Sequence, residues 1–166
     1  MTLPRATQLF NAGSWPENEA AGSVTLAFDD RHRRRVRLTL DHAQGDFLLD
    51  LARAERLGDG DGLLLDDGRW VHVRAASEDV MDVTAASPRD AIRIAWHLGN
   101  RHLAVQVLDG GGLRLRYDHV IEHMAQDLGG SVRRSMDIFA PEPGAYDGAP
   151  AHAHSHGHSP LHSHDE

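Results

Sequence analysis

The stretch TAASPRDAIRIAWHLGN (residues 84–100) decides the fold, because it carries the first complete helix signature in the chain. Ser87 is a preferred capping residue, Pro88 suits the first helical position, and Asp90 follows the cap by three residues. Apolar and small residues then recur on one helix face, which predicts a buried stripe of Ile92, Ala95, Trp96 and Gly99. This helix separates a β-rich first half from a mixed second half.

Short runs with partial period-two patterning precede the helix and predict strands. Asp67-Gly68, between LLL and WVHV, predicts a hairpin, since glycine tolerates the positive φ of a tight primed turn. Residues 1–76 are therefore expected to form a small all-β domain. The strand-like runs are SVTLAF (23–28), RRVRLTL (34–40), DFLLDLA (46–52) and RWVHVRA (69–75).

The second half alternates strands and helices. A second helix begins at Asp118 and ends at Gly129, and the order of elements over residues 77–141 is β-α-β-β-α-β. That order is typical of a ferredoxin-like domain, a sheet with two helices on one face, so the fold class is α+β. The predicted strands are VMDVTA (80–85), LAVQVL (103–108), LRLRYD (113–118) and SVRRSMDIF (131–139).

Residues 142–166 are expected to be a linker and a disordered, histidine-rich tail. Neutral imidazole binds Ni²⁺, Zn²⁺ and Cu²⁺ well, so the tail is predicted to bind metal as an auxiliary site. Its histidines alternate with Ala, Ser, Gly and Pro, unlike those of a plain expression tag. They are His152, His154, His156, His158, His162 and His164, six of the thirteen in the chain.

Composition excludes several classes of function. The 166 residues include no cysteine, which rules out disulfides, thiolate metal sites and a cysteine nucleophile. The net charge of −8 argues against nucleic acid as a partner. No apolar run approaches a membrane span and no signal peptide is recognisable, so we expect a cytoplasmic protein without a membrane partner. The basic run RHRRRVR (31–37) is interpreted as the solvent face of a strand.

The stretch HLGNRH (97–102) begins and ends with a histidine. His97 and His102 are five residues apart, about 140° of helical rotation, so their rings would not converge on one ion. His102 is instead expected to begin a strand, where it could meet its copy across a two-fold axis. The alternative for either residue is a surface or capping histidine.

The second helix carries HVIEH (119–123), which matches the H-x-x-E-H metalloprotease signature. His119 and His123 would hold zinc and Glu122 would be the general base. A catalytic zinc also needs a third protein ligand and an enclosed cleft, whereas this helix face is expected to point outward. A protease is therefore disfavoured, and no catalytic residue is assigned.

Several motifs together resemble the urease accessory protein UreE family of nickel metallochaperones. They are WHLGNRHLAVQVL, LRLRYDHVIEHMAQDLG and FAPEPGAY, followed by the histidine tail; DDRHRRRVRLTL, FLLDL and DGDGLLLDDGR resemble the N-terminal domain of that family. The resemblance implies a homodimer in which His102 of each subunit binds Ni²⁺ and tail histidines complete the site. His97 and His119 are further candidate ligands, although Tyr117 stands where family members with a peripheral site at His119 have a second histidine.

The resemblance also implies partners. Such a protein passes Ni²⁺ to the urease apoprotein complex through the accessory GTPase, and two dimers can join into a metal-bridged tetramer. The N-terminal domain is expected to contact partner proteins, with residues 31–37 as the candidate surface. Zn²⁺ or Cu²⁺ can substitute for nickel in imidazole sites. The alternative is a histidine-rich store of zinc, copper or nickel.

Overall fold

Two β-sheets, one in each half of the chain, form the fold in the computed structural model, which describes residues 3–43 and 45–143. The first sheet has six strands, and the described residues around it form only short 3-10 turns rather than α-helices. The second sheet has four strands and is joined by two α-helices. This arrangement confirms the predicted two-domain α+β organisation.

The first sheet encloses an apolar core supplied by alternate residues of its strands. In the fourth strand, for example, Phe47, Leu49 and Leu51 are buried at every second position. The strands lie in the order β2-β6-β5-β1-β4-β3, and the pairs β1–β4 and β2–β6 are parallel. Their bounds are β1 (Arg5–Phe10), β2 (Ala20–Leu26), β3 (His32–Thr39), β4 (Asp46–Arg56), β5 (Gly62–Leu65) and β6 (Trp70–Ala75).

The hairpin predicted at Asp67-Gly68 is confirmed, because β5 and β6 pair antiparallel across it. Gly68 has φ +85°, and its N–H donates to the Leu65 carbonyl at 3.0 Å. Asp67 has no positive φ, so the turn is not the primed type expected. Strand β1 was not predicted, since its position is decided by pairing with β4 and β5, both more than forty residues away in sequence.

The second sheet begins directly after the first and carries both helices on one face. Its strands lie in the order β10-β7-β9-β8, and all neighbours are antiparallel. Buried residues of both helices share one apolar core with β7 and β9. The bounds are β7 (Ser77–Ala85), α1 (Pro88–Gly99), β8 (Gln106–Val107), β9 (Leu113–Arg116), α2 (His119–Asp127) and β10 (Gly130–Ile138).

The helix boundaries follow the predicted capping signals. The Ser87 hydroxyl accepts a hydrogen bond from the Asp90 N–H at 3.2 Å, as expected for the cap of α1. The Asp118 carboxylate caps α2 by accepting from the N–H groups of Val120 and Ile121. Gly129 ends α2 with φ +89°.

The buried arginine of the basic run corrects the expectation that residues 31–37 all face solvent. Arg31 is only 3% exposed, and its guanidinium donates to the Phe139 carbonyl beyond the end of β10. The Phe28 and Phe139 rings meet edge to face at 5.4 Å, and the Phe28 N–H donates to Glu78 at 2.8 Å. Arg31 therefore joins the two halves of the chain, while the arginines of β3 are exposed as predicted.

On the face of the second sheet opposite the two helices, acidic and basic side chains form ion pairs. Asp82 is 6% exposed and accepts hydrogen bonds from Arg114 at 2.7 and 3.0 Å and from Arg133 at 3.1 Å. Hydrogen bonding from Arg114 lowers the pKa of the Asp82 carboxyl, although burial opposes the shift. Ion pairing of Asp82 therefore stabilises the folded state at neutral pH.

Replacing Asp82 by asparagine is expected to destabilise the fold at pH 7 by about 2 kcal/mol, because the buried Arg114 loses one of its two carboxylate partners and keeps only the half-exposed Asp137. The pKa of the Asp82 carboxyl is lower in the folded state than in the unfolded state. The extra stability of the wild type is therefore present above the unfolded pKa of about 3.9 and is lost as the pH falls through the folded-state pKa. Urea unfolding between pH 7 and pH 2 measures both effects. Asp79→Asn is the control: Asp79 pairs with Arg134 on the surface and its loss should change stability far less.

Candidate metal centre

His102 lies in the turn that ends α1, not at the start of a strand as expected. The N–H of Asn100 donates to the Trp96 carbonyl at 3.1 Å, and that of His102 donates to Gly99 at 3.0 Å. His102 has φ +53°, a left-handed conformation that a β-strand cannot contain. Strand β8 consequently starts only at Gln106.

The left-handed conformation of His102 is unusual, because the residue at this position of a helix end is commonly glycine. A residue with a Cβ atom costs about 1 kcal/mol more there than glycine does. Strain of this kind is concentrated at functional sites. The side chain of His102 is exposed, so packing of the imidazole does not explain its presence. His42 shows the same combination, with φ +61° and an exposed side chain, so the strained backbone alone does not assign a function to either histidine.

The apolar stripe predicted to be buried on α1 is exposed, which corrects the sequence interpretation. Ile92 is 70% exposed and Trp96 63%, whereas Ile94 and Leu98 on the opposite face are buried in the core. The sheet accepts only one face of α1. Within one chain α1 therefore presents a second apolar face to solvent, formed by Ile92, Ala95, Trp96 and Gly99.

A groove of about 790 Å³ adjoins both this apolar face and His102. Ala95 and Gly99 of α1 line it. On the other side it is bounded by the chain that follows β10, where the Glu142 N–H donates to the Val105 carbonyl at 2.9 Å. Glu142 was not assigned a role from the sequence; its placement between two prolines was the only local signal.

His97 lies on α1, half-buried, with its ring 4.9 Å from that of Trp96. It belongs to neither apolar face, and the described residues place it in no group of three or more potential metal ligands. His97 remains a candidate ligand on the sequence prediction alone.

The histidines of α2 are exposed and four residues apart, as predicted. Glu122 between them accepts a hydrogen bond from the Tyr117 hydroxyl at 3.0 Å, which raises the pKa of Tyr117. The Arg134 guanidinium lies 3.7 Å from the centre of the Tyr117 ring. Tyr117 is therefore engaged by its neighbours, and the described residues supply no third ligand for an ion at His119 and His123.

Within residues 3–43 and 45–143, no three His, Asp or Glu side chains are grouped closely enough to hold a metal ion. The six tail histidines, and with them the predicted auxiliary site, lie outside the described residues. Neither α1 nor α2, the α-helices of the described part, has the length and apolar composition needed to cross a bilayer. A metal ion at His102 would therefore need further ligands from outside the described part of one chain.

Comparison with known proteins identifies the class as accessory chaperones rather than enzymes. Residues 2–76 match the family model for the N-terminal domain of the UreE urease accessory protein, and residues 78–165 match that for its C-terminal domain. The chain belongs to the urease accessory protein UreE family. Its role is in urease maturation, in interaction with the urease maturation machinery, and the metalloprotease interpretation of HVIEH is wrong.

Relatives named urease accessory protein UreE align with most of the chain. The protein of Bradyrhizobium sp. strain BTAi1 is 48% identical over 152 residues, which cover 92% of this chain and 72% of the relative. That of Beijerinckia indica is 44% identical over 153 residues, or 92% and 86%. That of Ruegeria pomeroyi is 40% identical over 156 residues, or 94% and 100%.

Replacing His102 by glycine is expected to give a more stable chain than replacing it by alanine, by about 1 kcal/mol, because glycine relieves the positive φ. Urea unfolding in a chelator measures the difference without metal. His123 is the matched control: it is exposed but lies within α2, where glycine should be less stable than alanine by a similar amount. Equal stability of the two His102 variants would show that the backbone at this position is not strained.

Proposed function

We propose that this protein is a cytoplasmic nickel metallochaperone that binds Ni²⁺ between two copies of the chain, through His102 of each. It passes the ion to the urease apoprotein complex through the accessory GTPase. The observation that carries the proposal is the position of His102 at the end of a helix whose outer face is apolar and exposed. The four-stranded domain is interpreted as ferredoxin-like and as the dimerisation domain.

The outer face of α1 supports a homodimer. Burying a large apolar side chain contributes about 1.5–3 kcal/mol, so two exposed residues of this size favour a partner surface. Ala95 and Gly99 lie beside Ile92 and Trp96 on this face, and their small size permits close approach of a second helix. A two-fold contact is self-complementary, and a residue meets its own copy only where it lies near the axis. The proposal therefore places the axis near the end of α1, where the two His102 turns would meet.

Two imidazoles do not complete the coordination of Ni²⁺, and the short sequence distance from Glu142 to the first tail histidine supports the tail as a source of further ligands. The last described residues, Pro141 to Pro143, line the groove beside His102. His152 follows Glu142 by ten residues, and ten residues span at most about 35 Å. The first tail histidine is therefore tethered within reach of the interface.

Imidazole ligation suits a carrier. Neutral imidazoles bind nickel well, and ligands that are exposed in the free chain can be exchanged one at a time for those of an acceptor. Such transfer needs no covalent chemistry. Zn²⁺ and Cu²⁺ would compete, since Cu²⁺ binds more tightly than Ni²⁺ at most nitrogen sites. The proposal of nickel therefore rests on the family rather than on affinity.

The N-terminal sheet is proposed to contact partner proteins through the outer strand β3. Four exposed arginines of β3 support this role, but most of them are paired with acidic residues on the same surface. The surface is therefore polar rather than strongly basic. The four are Arg33, Arg34, Arg35 and Arg37.

Nickel titration of the full chain should show one tight ion per dimer. His102→Ala should abolish this binding while weaker binding by the tail persists, because the two imidazoles at the interface are the specific ligands. Truncation after Gly148 should remove the weaker binding and should lower the affinity of the tight site without abolishing it. Calorimetry measures all three. Several equivalent weak sites, unaffected by His102→Ala and lost with the tail, would instead indicate the metal store.

Trp96→Asp is expected to make the chain monomeric, since a charge on the outer face of α1 cannot be buried against a second copy. Light scattering after gel filtration should change from twice 18.3 kDa to 18.3 kDa. Met136→Asp is the matched control, because Met136 is 67% exposed on β10, outside the outer face of α1. A Trp96→Asp chain that stays dimeric contradicts the proposed interface.

A further inference from the structure

We propose that Glu142 is an oxygen ligand of the ion bound at His102, so that each subunit contributes one imidazole and one carboxylate. The inference rests on the proposed function and adds a ligand that lies within the described part of the chain. Three features support it: the path of the chain after β10, the restriction of its backbone, and the charge of the groove.

The chain after β10 crosses to the opposite edge of the four-stranded sheet. Strand β10 lies at one edge of that sheet and β8 at the other. Beyond β10, the Ala140 N–H donates to the Gln106 side chain at 3.0 Å, and the Glu142 N–H donates to Val105 at 2.9 Å. These hydrogen bonds fix Glu142 beside Val105, which is only three positions after His102, although Glu142 and His102 are forty residues apart in sequence.

The backbone around Glu142 is restricted. Phe139 is fully buried between the two halves of the chain, and Pro141 is also buried. The prolines on both sides have a fixed φ, and Pro143 also limits Glu142 to extended conformations. Because the side chain of Glu142 is exposed at the groove, its carboxylate is presented from a backbone whose position is already determined, which lowers the entropic cost of binding an ion.

The groove requires an anion if it is to hold a dication. Glu142 supplies the one carboxylate among the residues that line it, and Arg56 also lines it. The other residues of the lining, apart from His102, are uncharged and mostly apolar. Placing Ni²⁺ against apolar walls would be unfavourable without a compensating negative charge.

A two-fold arrangement would give the ion two imidazole nitrogens and two carboxylate oxygens. Nickel accepts mixed nitrogen and oxygen ligands, and its remaining positions stay open to tail histidines or to water. A carboxylate that binds through one oxygen is readily displaced by an incoming ligand, so Glu142 is also the group that an acceptor protein would displace first.

The test is nickel calorimetry of the full-length dimer carrying Glu142→Gln, which keeps the shape of the side chain and removes its charge. The tight site is expected to weaken by about tenfold or more, with the dimer intact. Asp127→Asn is the matched control: it removes one carboxylate from the exposed end of α2 in the same domain, and it should leave the affinity unchanged.

The titrations are repeated in 1 M salt, where charges separated by more than about 3 Å are screened. A Glu142→Gln effect that persists supports direct ligation, and one that disappears overturns it in favour of a distant charge. An unchanged affinity at both salt concentrations also overturns the inference. His102→Ala is measured alongside to keep the two proposals separate. If only that variant loses the tight ion, the proposed function stands and Glu142 is excluded as a ligand.

Discussion

The packing of Ile94 and Leu98 against β7 and β9 determines how α1 is rotated, and the functional surface depends on that rotation. A helix covers a sheet with one face, so the residues about 180° away must face solvent. In this chain those residues are also apolar. Rotation of α1 thus exposes Trp96 and directs the turn at its end, with His102, toward the groove rather than into the core. The proposed interface and the proposed ligand follow from one packing choice.

A second constraint connects the two halves of the chain. Arg31 and Phe28 of the first half hold Phe139 at the end of β10, and the chain then crosses to β8. The β-rich half therefore does more than offer a surface to partners. It helps to define the path by which Glu142 approaches the groove beside His102. Contacts that look structural in the first half thus shape the candidate metal centre in the second.

Patterns that depend on neighbouring residues were predicted well. The caps at Ser87 and Asp118, the hairpin before Trp70 and the order of elements after residue 77 follow from local chemistry, and the structure contains all of them. Contacts over long distances were not predicted. Strand β1 depends on pairing partners far along the chain, and the burial of Arg31 depends on a carbonyl 108 residues away. A periodic stripe on α1 could not reveal which of two apolar faces the sheet would cover.

By itself, the sequence determined the class of the protein: two domains, no thiol chemistry, and a dense supply of imidazoles placed around HLGNRH and in the tail. Residue types and short spacings carry that information, since capping, turn formation and metal preference are local properties. Only the tertiary structure decided that His102 occupies a left-handed turn and that Trp96 is exposed. It also decided that Glu142 lies beside the same groove. Those facts depend on how helices rotate and where the chain crosses the sheet, which packing and long-range hydrogen bonds settle together.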